Sequence, residues 1–246
     1  MFASLKNHPF AVEAFFERSL VLTFAVPKEE LQGLIPGCLG LDTFKDQWAF
    51  IAVAMVQATG LRPKGFPAFM GSDFLLVGYR IFVRYTTVEG KHLRGLYILG
   101  SETDKRKMAV LGNIFTNYKY TKTDLELTNS NDITEVRAAA GFYIQVSNER
   151  DNVQLPPGSP FADWKEARRF AGPLPFTFSY DAVKKMVLIV EGVRENWVPA
   201  PVRVVSHCTP FIDKLCLKGV VLANAFVIEN IPYYWKKGRT EPWTAQ

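Results

Sequence analysis

Apolar residues along most of this chain alternate with polar residues or form short uninterrupted runs. Both patterns are typical of β-strands, and Gly, Pro, Asn and Asp residues at the ends of the runs indicate turns. Segments 40–44 and 48–55 are predicted to pair as a hairpin, and a helical turn is predicted at 28–34, after the first strand. The pattern predicts strands near residues 19–26, 40–44, 48–55, 125–128, 133–147, 176–180, 186–193, 202–208 and 218–228.

A longer hairpin is predicted within residues 74–100, with its turn at Glu89-Gly90. Successive side chains of a strand point to opposite faces, so the first arm has two distinct faces. The face predicted to lie in the core carries Val77, Tyr79, Ile81, Val83 and Tyr85. The other face carries Gly78, Arg80, Phe82 and Arg84. For Arg84 the pattern favours solvent, whereas for Arg80 solvent and a buried role in binding a carboxylate both stay open.

Two helices are predicted among these strands. The first covers about residues 102–117, with Ser101 as its N-cap. The second has Ser159 as its N-cap and Pro160 at its first helical position, and it ends at Gly172-Pro173. Gly112 lies inside the first helix, where a glycine permits close packing. Many strands with few helices indicate a mainly β fold, a closed or nearly closed antiparallel sheet with helices packed on it. The length of 246 residues suits a single domain, residues 1–246.

The charge pattern argues against a nucleic-acid-binding protein. The formal net charge is +5, but Lys and Arg are scattered, and the longest basic clusters are residues 105–107 and 236–237. No basic stripe with interleaved aromatic residues is present, so no nucleic-acid partner is expected.

The cysteines and the N-terminal residues bear on compartment and cofactors. Cys38, Cys208 and Cys216 are an odd number, which argues against a disulfide framework and for a reducing compartment. No Cys or His spacing matches a zinc site, so neither a metal nor another cofactor is expected. Charged residues interrupt any signal-peptide core, and the apolar run 19–26 is too short to span a bilayer. We therefore expect a soluble, cytoplasmic protein without a membrane partner.

Lys119 is the candidate for chemistry that stands out in the sequence. If extended structure begins near Tyr118, Lys119 shares a face with Leu125 and Leu127, while Tyr120 lies on the polar face. A lysine on an inner face has a lowered pKa, and its neutral amine is a nucleophile toward carbonyl groups. A single β-bulge after Lys119 would instead return it to solvent, and this alternative stays open.

Three segments make the chain similar to a known superfamily. They are "VPKEELQGLIPGCLGLDTFKDQWAFIAVAM" (26–55), "GLRPKGFPAF" (60–69) followed by "VGYRIFVRY" (77–85), and "SETDKRKMAVLGNIFTNYKY" (101–120). In these features, and over about residues 18–231, the chain resembles the acetoacetate decarboxylase-like superfamily, especially its large branch of uncharacterised proteins. The resemblance implies a cone-like antiparallel β-barrel with a few packed helices.

The resemblance also implies a reaction. Decarboxylases of the superfamily carry a lysine after the mid-chain helix that forms a Schiff base with a β-keto acid, and Lys119 occupies that position. They have Pro-Lys-Lys where this chain has Tyr118-Lys119-Tyr120, and an Arg-Glu pair where it has Gly112 and Asn113.

Two functions therefore stay open. The first is an enzyme, a carbon–carbon lyase with Lys119 as the catalytic amine and Arg80, Tyr118 and Tyr120 binding the substrate. The alternative is a non-catalytic barrel of the same fold that binds a small molecule, which the missing second lysine and Arg-Glu pair favour. The expected partner is a small-molecule substrate or ligand. The aromatic tail at 231–243 is expected to seal the open end of the barrel or to pack on a neighbouring subunit, which leaves homo-oligomerisation open.

Overall fold

The structure is a computed structural model that describes residues 6–195 and 197–244. Its helices are α1 (Lys28–Gln32), α2 (Arg106–Phe115), α3 (Trp164–Ala171) and α4 (Pro210–Asp213), and a 3-10 turn covers Ala68–Met70. The strands up to the middle of the chain are β1 (Val12–Pro27), β2 (Gly40–Leu41), β3 (Trp48–Pro63), β4 (Ser72–Thr86), β5 (His92–Thr103), β6 (Tyr120–Lys122), β7 (Leu125–Asn129) and β8 (Ile133–Ala138). The remaining strands are β9 (Tyr143–Ser147), β10 (Phe176–Asp181), β11 (Met186–Arg194), β12 (Ala200–Pro201), β13 (Val204–Cys208), β14 (Val221–Trp235) and β15 (Arg239–Pro242).

Seven strands close into a ring in the order β14, β1, β3, β4, β5, β10 and β11, and β11 pairs again with β14. Neighbouring strands are antiparallel except β5 and β10, which run parallel to each other. Closure leaves the ring with an interior and an exterior face. The mainly β fold predicted from the sequence is confirmed, with this parallel pair as a difference in detail.

A second sheet, in the order β13, β9, β8 and β7, covers part of the exterior of the ring. The largest hydrophobic core includes Leu22 and Val53 from the ring together with Val136 and Ile144 from the second sheet. The segment 133–147, predicted as one strand, is a hairpin, because the chain turns at Gly141, whose φ is 84°. The second sheet therefore gives β1 and β3 an apolar cover on their outer side.

The long hairpin of β4 and β5 is confirmed, together with its turn around Glu89-Gly90 and its core face. Val77, Tyr79, Ile81, Val83 and Tyr85 are all buried in the exterior core. The opposite face is not solvent, because Arg80 and Phe82 line the interior of the ring. Arg84 lies further along, where it is half exposed and pairs with the buried carboxylate of Asp42 at 2.5 Å.

Near this hairpin, the structure differs from the prediction in the extent of one strand pair and in the start of one helix. Segment 40–44 pairs with β4 rather than forming a hairpin with β3, which it meets only at the Phe44–Trp48 bridge. The first helix begins at Arg106, because β5 continues through Ser101 to Thr103, where it pairs with β4 and β6. Pairing with two strands satisfies the backbone more fully than a helical first turn would.

The later helix differs from the prediction only at its start. Asp163 caps α3 by accepting a hydrogen bond from the backbone N–H of Glu166 at 2.7 Å. Ser159, the predicted cap, donates instead to the carbonyl oxygen of Ala223. In the described part of the chain, no helix combines the length and the apolar character needed to cross a membrane.

Candidate functional site

The interior of the ring holds a cavity of about 620 Å³, which we call the lumen. Most side chains that line it are apolar, and they come from all seven strands of the ring. Helix α2 packs at the end where β1 begins, beside Phe16, and α3 packs at the other end, beside Ala25. A concave apolar space of this volume is typical of a small-molecule site.

Arg80 is the polar side chain that distinguishes the lumen. Its guanidinium folds back over Gly78, where an added Cβ would lie 3.0 Å from Nε. Its Nε is buried without a hydrogen-bond partner, and Arg80 forms no ion pair within residues 6–195 and 197–244. Burial lowers the pKa of Arg80, and the nearby phenols oppose that change. Because arginine stays charged in proteins, Arg80 puts an uncompensated positive charge on the lumen wall.

Tyr118 and Tyr120 both line the lumen, with ring centroids 6.1 Å apart. The ring of Tyr120 packs directly on Gly112, where the Cβ of any larger residue would clash with it. The Asn113 side chain fixes the backbone of Tyr120, accepting from its N–H and donating to its carbonyl oxygen, both at 2.8 Å. Gly112 and Asn113 thus hold the second tyrosine in place.

Burial raises the pKa of both Tyr118 and Tyr120, so each hydroxyl keeps its proton at neutral pH. The hydroxyl of Tyr118 is buried without a well-formed hydrogen bond to any described residue, although the Thr177 hydroxyl is close enough to affect its pKa. A neutral phenol with an unused donor suits an acceptor oxygen of a ligand.

The prediction that Lys119 lies on the inner face is wrong. Its side chain is exposed, it does not line the lumen, and Nζ lies 5.7 Å from the ring centroid of Tyr97. The cause is local, because Lys119 has a left-handed backbone with a φ of 53°. This conformation breaks the alternation of an extended strand, so Tyr118 and Tyr120 both face inward. The catalytic role of Lys119 stays a prediction.

Sequence reasoning missed Arg194 and Tyr233. The two residues are cross-strand neighbours on β11 and β14, and both line the lumen. Nη1 of Arg194 donates to the hydroxyl of Tyr233 at 3.3 Å, and Tyr233 stacks on Phe16 with centroids 4.7 Å apart. The alternation of Ile231, Tyr233 and Trp235 in the aromatic tail was the available signal, since it places three bulky residues on one face.

The charge of the lumen is positive. Among the described residues that line it, Asp73 carries the one carboxylate, and it accepts a hydrogen bond from the backbone N–H of Gly60 at 2.8 Å. No cluster of three or more potential metal ligands occurs among the residues the structure describes. The positive charge and the mostly apolar lining of the lumen suit an organic anion.

The family model DUF2071, described as an uncharacterized conserved protein, matches residues 14–207. No curated protein matches the chain. Among solved structures, the chain is similar to an acetoacetate decarboxylase-like enzyme from Sphingomonas wittichii RW1, with 12% identity, 94% of this chain and 92% of that chain covered, and a TM-score of 0.60.

Two further solved structures are similar. Acetoacetate decarboxylase from Legionella pneumophila matches with 12% identity, 95% and 88% coverage of the two chains and a TM-score of 0.61. The enduracididine biosynthesis enzyme MppR, complexed with pyruvate, matches with 9% identity, 94% and 90% coverage and a TM-score of 0.55. At these identities the likeness establishes the fold and not a reaction.

Proposed function

We propose that this chain, which belongs to the DUF2071 family of uncharacterized conserved proteins, binds a small organic acid in its lumen. Arg80 would hold the carboxylate, and the apolar walls would hold the body of the molecule. The observation that carries the proposal is the buried Arg80 guanidinium, which has no acidic partner among the described residues.

A buried charge without a partner is unfavourable, so proteins seldom keep one unless a ligand completes it. A guanidinium matches the planar geometry of a carboxylate and forms charge-assisted hydrogen bonds to it. The protonated hydroxyls of Tyr118 and Tyr120 can donate further hydrogen bonds there. The pyruvate complex of MppR, a protein of the same fold, gives independent support for a carboxylate ligand.

Geometry favours binding over Schiff-base chemistry. An amine that attacks a bound carbonyl has to lie within about 3–3.5 Å of it. The amine of Lys119 points to the exterior beside Tyr97, whereas Arg80 faces the lumen. A ligand in the lumen would therefore meet Arg80, whereas the Lys119 amine does not line that cavity.

The test of binding compares acids with uncharged analogues. We would measure the affinities of benzoate, hexanoate and their amides by calorimetry for the wild type, Arg80→Gln and Arg168→Gln. Arg168 is an exposed arginine on α3, so its replacement removes the same charge outside the lumen. The acids should bind about 10- to 100-fold more tightly than the amides, and Arg80→Gln should abolish that difference. Equal affinity of acids and amides for the wild type would overturn the proposal.

A second candidate is a decarboxylase-like enzyme, which the structural likeness to acetoacetate decarboxylases supports. In that reaction the Lys119 amine would condense with a ketone of the substrate and release water, and the iminium would accept the electrons left when carbon dioxide departs. Borohydride reduction in the presence of acetoacetate or pyruvate, followed by peptide mass mapping, tests it. An adduct on Lys119 but not on the nearby exposed Lys122 would favour the enzyme, and no adduct would exclude it for these substrates.

A further inference from the structure

Arg194 is held rigidly at the lumen wall. Its Cζ lies 5.5 Å from the ring centroids of both Trp197 and Tyr233, and Nη1 donates to the Tyr233 hydroxyl at 3.3 Å. Tyr233 in turn packs against Phe16 and Trp235, with ring centroids 4.7 and 4.5 Å away. Aromatic contacts of this kind fix a guanidinium while leaving N–H donors at its edge free. Arg194 is therefore preorganised rather than a mobile surface side chain.

Arg194 also lacks an acidic partner. It forms no ion pair with any residue in the described ranges. Arg194 and Arg80 line the same cavity, and the charge of Arg194 helps to lower the pKa of Arg80. Two guanidiniums that repel each other in one apolar space are unfavourable unless an anion lies between or beside them.

The single carboxylate among the described lining residues does not compensate these two charges. Asp73 lies near the exposed end of β4 and accepts a hydrogen bond from the backbone N–H of Gly60. Its carboxylate also interacts electrostatically with Lys105.

Of the other cationic side chains that line the lumen, Arg62 and Lys105 are paired with acidic side chains, and Lys107 is exposed. The lumen thus carries two positive charges, those of Arg80 and Arg194, that are shielded from solvent and lack an acidic partner among the described residues. A ligand that complements these charges carries two negative charges on an apolar molecule.

We propose that Arg194 forms a second anion subsite in the lumen and that the ligand is an apolar dicarboxylic acid, with one carboxylate on Arg80 and the other on Arg194. This inference rests on the proposed function, since it assumes that Arg80 holds a carboxylate. It goes further in assigning a role to Arg194, Tyr233 and Trp197, which sequence reasoning did not find, and in naming the class of ligand.

The ligand series for the test is the straight-chain α,ω-dicarboxylates from four to ten carbons, each with its monomethyl ester. The ester keeps the chain length and one carboxylate, so the ratio of the two affinities isolates the second charge. Calorimetry on the wild type should show one favoured chain length. At that length the diacid should bind about 10- to 100-fold more tightly than its ester, the ratio expected for a hydrogen bond between charged groups.

The variants are Arg194→Gln, Arg194→Lys and the control Arg168→Gln. Arg194→Gln should bring the affinity of the diacid to that of the ester and leave the ester unchanged, and Arg194→Lys should keep part of the preference because it keeps the charge. Arg168→Gln should preserve the full ratio. If Arg194→Gln does not fold, the wild-type ratio and its reduction in Arg194→Lys still test the proposal.

The outcomes separate the two proposals. Equal binding of diacid and ester to the wild type at every length, with both still dependent on Arg80, would overturn the second subsite and leave the proposed function intact. A diacid preference that survives in Arg194→Gln, or disappears equally in Arg168→Gln, would also overturn it. Failure of diacids, esters and monocarboxylates alike to bind would overturn the proposed function itself.

Discussion

Replacing Arg80 by methionine should make the ligand-free protein more stable and remove its affinity for carboxylates. Methionine resembles the aliphatic part of arginine in length but carries no charge, and the lumen already has open volume beside Arg80. The substitution therefore removes an uncompensated charge without creating a new cavity in a packed core. Opposite effects on stability and on binding are expected where a residue is kept for its ligand.

The size of the stabilisation follows from the surroundings of Arg80. In a dry interior an unpaired charge costs several kcal/mol, but Arg80 keeps some accessible surface toward the lumen, which lowers that cost. We expect Arg80→Met to raise the free energy of unfolding by about 1–3 kcal/mol. For a chain of this length that corresponds to roughly 3–10 °C in Tm.

The assay is denaturant unfolding, followed by tryptophan fluorescence, with and without benzoate. Benzoate at about 100 times its Kd should stabilise the wild type by about 2.7 kcal/mol, and it should leave Arg80→Met unchanged. The matched control is Arg84→Met on the same strand, because Arg84 pairs with the buried carboxylate of Asp42. In that variant, the free energy of unfolding should fall by about 1–2 kcal/mol, and the affinity for benzoate should stay the same.

One result would refute this reasoning. If Arg80→Met lowered the free energy of unfolding by more than about 1 kcal/mol without ligand, Arg80 would be satisfied inside the folded chain. Arg80 would then need no anion to compensate its charge, whatever the affinity for benzoate.

Gly112→Ala should destabilise the protein by about 1–3 kcal/mol and weaken carboxylate binding, because its Cβ would displace Tyr120; chemical denaturation and calorimetry check this. Burial lowers the pKa of His8 below 6.5, so the unfolded state binds the proton more readily. The contribution of neutral His8 to the free energy of unfolding should therefore be complete above pH 6.5 and be lost as the pH falls below it. His8→Gln should reduce the decrease of the denaturation midpoint between pH 7 and pH 5. Lys119→Gly should raise stability by up to about 1 kcal/mol, since glycine accepts the left-handed backbone, and calorimetry should show unchanged benzoate affinity.

Each of these three expectations has a contradicting result. A Gly112→Ala variant with full stability and binding would show that Tyr120 is free to move. Replacement of the exposed His92 by glutamine should keep the full pH dependence of the denaturation midpoint. If that replacement reduced the pH dependence as much as His8→Gln does, His8 would be excluded as its cause. Loss of benzoate affinity in Lys119→Gly would show that the lysine contributes to the ligand site after all.

The alternation of apolar and polar residues in the sequence predicted which segments are strands and, for β4, which side chains share a face. The core face from Val77 to Tyr85 is confirmed. The same alternation placed Arg80 on the face opposite the core, which is correct. A strand's period of two residues fixes which side chains share a face, and it is a property of the local sequence.

Only the tertiary structure decided what those faces meet. The face of Arg80 became the wall of a lumen because β11 pairs with β14 and closes the ring, and that pairing joins segments far apart in the chain. Closure also brought Arg194 and Tyr233 to the wall beside it. Such contacts depend on long-range register, which no short stretch of sequence specifies.

The segment around Lys119 shows the same division at the scale of one residue. The sequence placed a lysine between two tyrosines after a helix, and extended alternation turned it inward. In the structure, a φ of 53° at Lys119 turns it outward and directs both tyrosines into the lumen. That conformation is held by the packing of Tyr120 on Gly112 and by the Asn113 hydrogen bonds. The residue types of the site were thus readable from the sequence, whereas the side chains that face the ligand were decided by packing between α2 and the strand that follows it.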